Sequence, residues 1–313
     1  MKIDFLILSV LISCNSLSGQ AGSFNKESVA TASCKIPFKL VNNKTTLYAR
    51  IGDSRILRIV LDSGMGWDGM VITNPDLIDS IKLYNPQNAN IGGAGNSSQS
   101  SAVFADSMSF AAGDIDFENQ RIVVLRSGGF RGGSFDGVTG YTIFGHFIVE
   151  VNYESSEIIL HQPGELKTDK SWTEIPIYFK ENMIPWMDVS VVTGKEKPVS
   201  LACYIDYASS EAIELLQKTD QKFILPEKTE DYQLGRGLSG DIHGVKGIIS
   251  RVIIGPYELT DVKAAFVSAE VRSKQKGADG VISNNLLRRF NLIFDYSKKR
   301  LYIRPNSHFN DPF

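Results

Sequence analysis

Two aspartates stand at corresponding places in the two halves of this 313-residue chain, each after an apolar run. Asp62 belongs to Arg-Ile-Val-Leu-Asp-Ser-Gly, and Asp206 belongs to Ala-Cys-Tyr-Ile-Asp-Tyr-Ala, 144 residues further on (206 − 62). A carboxylate at the end of a strand is held by stiff backbone, which suits a site that needs accurate positioning. We expect Gly64 to adopt a positive φ, because the chain has to turn tightly after Asp62.

Of two such carboxyl groups, one can act as the general acid and the other as the general base. At a separation of a few Å they cannot both ionise, so one of them keeps a proton. One then accepts a proton from a water molecule, while the other donates a hydrogen bond to the carbonyl under attack. Ser63 adds a hydroxyl that can hold the loop by hydrogen bonds. The pattern predicts hydrolysis if the fold brings Asp62 and Asp206 together.

A second pair of segments indicates an internal duplication. Residues 136–153 and 279–296 align without a gap at an offset of 143 (279 − 136), and both begin with Asp-Gly-Val and end with Tyr. We therefore predict two lobes, at 35–163 and 172–306, joined by a polar linker. Each half also has a glycine cluster between its anchors, which we interpret as a candidate flap or a surface turn: Gly92, Gly93 and Gly95, then Gly235, Gly237 and Gly240.

Most of each half consists of β-branched and aromatic runs that are typical of strands. The predicted fold is mainly β, with two pseudo-symmetric, β-barrel-like lobes and a few short helices. The helices are expected at 74–84, where Asn74 precedes Pro75, at 209–218, where serines precede an apolar face, and at 284–290.

These residues resemble the aspartic proteases, and most nearly the bacterial two-lobe, retropepsin-like and pepsin-like group. The likeness is carried by Leu61 to Gly64, by 136–141 and by the duplication. It implies the acid-protease fold, a peptide or protein substrate and no cofactor. It also implies that Asp62 and Asp206 are catalytic, with Ser63, Gly64, Tyr207 and Ala208 in the active-site loops and Gly140 as the supporting glycine.

The second half departs from the pattern of that family. Tyr207 and Ala208 stand where the family has a small hydroxyl residue and glycine, and Ser283 stands where the first half has Gly140. The Tyr207 phenol reaches too far to make the usual bond between the loops, and Ala208 would cost about 1 kcal/mol or more at a positive φ. An active aspartic-type endopeptidase is the first hypothesis. A catalytically inactive pseudo-protease that binds peptides is the alternative, and a two-carboxylate glycosidase is a third, which no spacing singles out.

The N-terminus is predicted to be a secretory signal over residues 1–13, because a charged start precedes a short apolar run. Its end resembles the lipobox of bacterial lipoproteins, which implies a lipid on Cys14, and 14–34 reads as a flexible tether. We expect a secreted protein of the bacterial cell envelope, held in the outer membrane through this lipid anchor. An ordinary signal peptide with an incidental cysteine is the alternative.

Composition argues against several other classes of function. Lys and Arg number 33 against 35 Asp and Glu, a net charge of −2, which gives no cationic surplus for nucleic acid. The four histidines lie far apart at no metal-ligand spacing, so we expect no metal. Residues 235–240 match G-x-G-x-x-G, but no helical pattern follows them, which argues against a nucleotide site. Cys34 and Cys203 are expected to be buried free thiols, with a disulfide as the alternative, and the protein is expected to be a monomer.

Overall fold

The computed structural model describes residues 10–11, 23–24, 34–94, 99–180, 182–194, 197–272 and 275–313. The predicted lipidation site Cys14, most of the predicted signal and tether, and the candidate flap residue Gly95 lie outside these ranges. The described chain is predominantly β, as predicted.

Within the described ranges, four short helical segments lie among the strands. In the first half they are β1 (Val10–Leu11), β2 (Ser23–Phe24), β3 (Cys34–Val41), β4 (Lys44–Ile51), β5 (Leu57–Leu61), β6 (Gly69–Ile72), β7 (Gln87–Gly93), β8 (Ser100–Ala112), β9 (Ile115–Leu125), β10 (Gly137–Thr139), β11 (Ile148–Asn152) and β12 (Glu157–His161). In the second half they are β13 (Thr173–Pro176), β14 (Tyr178–Phe179), β15 (Pro185–Val192), β16 (Val199–Asp206), β17 (Ile213–Gln217), β18 (Thr229–Gly237), β19 (Gly240–Ile254), β20 (Tyr257–Ser268), β21 (Gly280–Ser283), β22 (Phe290–Asp295) and β23 (Arg300–Pro305). The helical segments of the described chain are α1 (Tyr141–Phe144), α2 (Asn284–Leu287) and 3₁₀ turns at Pro75–Leu77 and Ala269–Arg272.

A sheet shared by the two halves joins the lobes in the order β3-β12-β11-β22-β23-β13. At its centre β11 pairs antiparallel with β22, and Glu150 lies opposite Ile293. These two residues are 143 apart, so each faces its own counterpart in the duplication. A pseudo-twofold axis therefore passes through this pair.

The interior of each lobe repeats the same strand pairing. In the first lobe β10 is parallel to β5 and antiparallel to β6, and in the second β21 is parallel to β16 and antiparallel to β17. The register also repeats, since Val138 faces Val60 and Val281 faces Tyr204. Because of this pairing, β5 and β16 end at equivalent places in the two lobes. Asp62 and Asp206 lie at these strand ends.

The prediction of a helix over 209–218 is wrong, because β17 occupies residues 213–217 of that segment. β17 lies between β20 and β21 and is buried on both faces, so Ile213, Leu215 and Leu216 do not alternate with exposed residues and match helical spacing by coincidence. The other two expected helices are present in shorter form. Asn74 accepts a hydrogen bond from the Asp76 N–H at the start of the 3₁₀ turn, and α2 fills the first turn of 284–290.

The core consists of the inward residues of these sheets. In β3, for example, buried Cys34, Ile36 and Phe38 alternate with exposed residues. Cys34 and Cys203 are both buried and are not joined to each other by a disulfide, as favoured from the sequence. Within the described ranges, no helix is long and apolar enough to cross a membrane, and no three His, Cys, Asp or Glu residues gather where a metal ion could bind.

Candidate active site

Asp62 directly follows β5 and is fully buried. Its N–H donates to the Thr139 carbonyl oxygen at 2.8 Å, and its Oδ1 accepts from the Gly64 N–H at 2.7 Å. Its Oδ2 has no hydrogen-bond partner among the described residues. One oxygen of this carboxylate is therefore fixed by the loop, and the other is left for a ligand or water.

Gly140 packs directly behind this loop. A β-carbon at Gly140 would lie 1.9 Å from the Asp62 carbonyl oxygen and 2.9 Å from that of Met65. Only glycine allows so close an approach of backbone to backbone. The expectation of a positive φ at Gly64 is wrong, because Gly64 is not among the described residues with that conformation. The loop turns after Asp62 without using the left-handed region.

Asp206 is the last residue of β16 and is likewise fully buried. Its Oδ1 accepts from the Ala208 N–H at 3.2 Å and from the Ser209 N–H at 3.1 Å. Ala208 has no positive φ either, so the expected backbone strain at this alanine is absent. The degenerate loop of the second lobe therefore still presents amide groups to its carboxylate.

Ser63 bonds the two loops together. Its Oγ donates to the Ile205 carbonyl oxygen at 2.7 Å and accepts from the Tyr207 N–H at 2.9 Å. Ile205 and Tyr207 flank Asp206, and Ser63 is next to Asp62. This contact brings the loops that carry the two predicted catalytic residues together across the lobe boundary.

The Tyr207 side chain makes no equivalent hydrogen bond to the loop of Asp62, as expected from its length. Its hydroxyl hydrogen-bonds to that of Tyr153, which donates in turn to Asn284 Oδ1 at 2.6 Å. Its ring packs edge-on against Phe144 and Phe294. Tyr207 thus packs in the core between the lobes, and among the described residues only Ser63 makes a side-chain hydrogen bond between the two loops.

A buried ion pair, which the sequence did not reveal, lies beside Asp206. Arg272 donates through Nε at 3.1 Å and through Nη2 at 2.7 Å to the Glu214 carboxylate. Its Nη1 lies 3.4 Å from Asp206 Oδ2, and all three side chains are fully buried. The sequence contains one sign of this buried charge. At the offset of 143 residues, the duplication aligns Glu214 with Val71, an apolar residue inside β6 (214 − 143 = 71).

Lys44 is a second buried cation near the same carboxylate. It begins β4, and its Nζ has no hydrogen-bond partner among the described residues. Its ammonium lies 5.9 Å from the centre of the Phe135 ring. Burial lowers the pKa of Lys44 to about 7, against the opposing effect of Asp206, Glu211 and Glu214.

Burial raises the pKa of both aspartates. Burial, followed by the charge of Asp206, raises the pKa of Asp62 well above its usual range. Burial also raises the pKa of Asp206, but the Arg272 guanidinium opposes the rise. Two buried carboxyls in one electrostatic unit titrate as a pair.

The glycine-rich hairpins of the two lobes meet each other. The Ser239 N–H, between β18 and β19, donates to the Ala94 carbonyl oxygen at 2.9 Å. The Gly93 N–H at the end of β7 donates to Ser239 Oγ at 3.2 Å. A β-carbon at Gly237 would lie 2.0 Å from the Ala94 carbonyl oxygen.

Leu238, at the tip of the second hairpin, is 4% exposed and belongs to the apolar cluster of Val60, Val71 and Val138 in the first lobe. Each hairpin therefore contacts the opposite lobe. The candidate flap glycines take part to different degrees. Gly93 and Gly237 lie at this contact, Gly92 pairs with Leu11 of β1, Gly235 and Gly240 lie within the second hairpin with positive φ, and Gly95 is not described.

Comparisons with known proteins agree with this architecture. No protein-family model matches the chain, and no curated protein matches it in sequence. Among solved structures it is similar to the aspartic proteinase from Irpex lacteus, with a TM-score of 0.56 and 13% sequence identity. The match covers 90% of this chain and 99% of that one.

The chain has the two-lobe fold of an aspartic proteinase. This confirms the predicted fold class. At 13% identity the similarity concerns the fold alone.

Proposed function

We propose that this protein is an aspartic-type endopeptidase that hydrolyses peptide bonds with a water molecule activated by Asp62 and Asp206. The observation that carries the proposal is the bond network of Ser63, which joins the loops next to both aspartates. Equivalent strand ends, amide contacts to both carboxylates and the raised pKa of both groups support it.

The chemistry needs one carboxylate and one carboxylic acid. Water attacks the peptide carbonyl carbon as the carboxylate takes a proton from that water, and the carbonyl oxygen takes the proton of the acid. The resulting diol then collapses: the C–N bond breaks, the nitrogen receives the proton held by the former carboxylate, and a diol hydroxyl returns a proton to the other group. The products are an acid and an amine, and the pair regains its starting state.

We infer that the hairpins move to give a substrate access to the carboxylates. Asp62 and Asp206 are both 0% exposed while Ser239 holds Ala94. Separation of Ser239 from Ala94 would admit a peptide, and their renewed contact would exclude bulk water from the reacting groups. We propose that a peptide or protein substrate enters in this way.

The proposal is tested with the intact protein and a diverse peptide library between pH 3 and pH 8, with products identified by mass spectrometry. We expect cleavage within peptides, and inhibition by a statine-type peptide whose hydroxyl mimics the diol. Peptide binding at every pH without any cleavage would contradict the proposal and favour the inactive, peptide-binding alternative.

We also propose that the protein is secreted to the bacterial cell envelope and held at the membrane by a lipid on Cys14. The support is the sequence pattern of residues 1–14.

A further inference from the structure

The ion pair of Arg272 and Glu214 has no part in the hydrolysis described above. Glu214 orients the guanidinium by accepting from Nε and Nη2, and is itself fixed by Ser209 Oγ, which donates to it at 3.0 Å. The remaining Nη1 is thereby directed at Asp206. A buried ion pair seldom stabilises a fold more than apolar packing would, so its position beside one carboxylate calls for another explanation.

The arrangement breaks the symmetry of the two lobes. β6 and β17 pair with β10 and β21 in the same register, and the position of Glu214 in β17 is held by Val71 in β6. The surroundings of Val71 are apolar, including Val60 and Val138. A fixed cation therefore adjoins Asp206, whereas Asp62 Oδ2 has no hydrogen-bond partner among the described residues.

We propose that Arg272, oriented by Glu214, is a positioning residue that keeps Asp206 as the carboxylate and so leaves the shared proton on Asp62. This inference rests on the proposed peptidase function. In the reaction, Asp206 then takes the proton from the attacking water, and the Asp62 carboxylic acid gives its proton to the carbonyl oxygen.

Other charged and titratable groups also face Asp206 and must be included in any test. They are Asp62 in the opposite loop, Glu214 on β17, Lys44 on β4, and the Tyr204 phenol on β16, in addition to Arg272. Arg272 is the largest of the charge effects on Asp206, followed by the opposing effect of Glu214. Removal of both members of the ion pair should therefore still disfavour the Asp206 carboxylate, but less than removal of Arg272 alone.

The experiment measures kcat/KM against pH for the wild type, Arg272→Met, Arg272→Lys and the double variant Arg272→Met/Glu214→Gln. Loss of an adjacent cation should move the acid limb of the profile to higher pH by about 1 to 3 pH units in Arg272→Met. Arg272→Met leaves the buried Glu214 carboxylate unpaired, whereas the double variant removes both charges of the ion pair. If Arg272→Met does not fold, the pH profile of the double variant tests the role of Arg272. Arg272→Lys should return the limb toward its wild-type position.

A second readout does not depend on activity. Carboxyl ¹³C NMR of aspartate-labelled protein, with the Asp206 signal assigned by its loss in Asp206→Asn, should give a higher titration midpoint in the double variant than in the wild type. An unchanged midpoint would overturn the inference. Higher activity of the variants at every pH with an unchanged profile would also overturn it, because Arg272 would then obstruct the site. If even the wild type cleaves no peptide, the proposed function fails, and the NMR midpoint alone decides the role of Arg272.

Discussion

Replacement of Ser63 by alanine removes the side-chain bond between the two loops while leaving both aspartates in place. The hydroxyl makes two hydrogen bonds across the lobe boundary, to the Ile205 carbonyl oxygen and from the Tyr207 N–H. Ser63 is buried, so water cannot easily replace the lost oxygen. The Tyr207 N–H would be left without its acceptor, beside Asp206.

The loss of stability can be estimated from these two bonds. A buried donor without a partner costs about 1–3 kcal/mol, and the lost bond to Ile205 adds about 0.5–1.5 kcal/mol. We expect Ser63→Ala to lower the free energy of unfolding by roughly 2–4 kcal/mol. With an unfolding entropy of about 2.1 cal/mol/K per residue, this corresponds to a fall in Tm of roughly 3–6 °C for a chain of this length.

Calorimetry of Ser63→Ala is compared with Ser283→Ala as a matched control. Ser283 is also fully buried, but its Oγ has no hydrogen-bond partner in the described part of the chain. Its replacement should change the free energy of unfolding by less than about 1 kcal/mol. We expect kcat/KM of Ser63→Ala to fall by at least about 10-fold, because a small displacement of the reacting groups lowers the reaction rate strongly. Equal stability of the two variants, with unchanged activity in Ser63→Ala, would refute the role given to this hydroxyl.

Three further predictions concern the buried Asp62 carboxyl, the close packing at Gly140 and the lipid anchor at Cys14. Asp62→Asn should be more stable than the wild type above about pH 4, because folding raises the pKa of Asp62 and ionisation of this buried group at higher pH destabilises the wild type. Chemical denaturation should show that the difference in free energy of unfolding between the two proteins grows by at most about 1.4 kcal/mol per pH unit and vanishes at low pH. Gly140→Ala should destabilise by about 1–3 kcal/mol, because its β-carbon would overlap the Asp62 carbonyl oxygen, whereas Gly133→Ala, whose β-carbon has only ordinary contacts, serves as the control in the same assay. Cys14→Ser should move the expressed protein from the membrane fraction to the soluble fraction, and unchanged fractionation would contradict the lipid anchor.

Much of the architecture could be predicted from the duplication. The offset of about 143 residues placed Asp62 and Asp206 at equivalent strand ends, and the central pairing of Glu150 with Ile293 confirms the pseudo-twofold relation. The same offset aligns β17 with β6, and would have corrected the helix predicted over 209–218. Local periodicity failed there because a strand buried on both faces has no alternation.

The charged surroundings of Asp206 could not be predicted in the same way. Arg272 lies in a short 3₁₀ turn and reaches Glu214 and Asp206 only through the fold, and the first half offers no matching pair. Lys44 lies in a strand whose sequence gives no reason to expect a buried, unpaired ammonium. Such contacts depend on side-chain directions in three dimensions, which spacing does not encode.

The most direct test of the central claim compares kcat/KM for one cleaved peptide among the wild type, Asp62→Asn and Asp206→Asn, with exposed Asp53→Asn as the control. If the two carboxylates act as one acid–base pair, each of the first two variants should lose at least about 100-fold, and the control should match the wild type. Wild-type activity in either Asp62→Asn or Asp206→Asn would contradict the account.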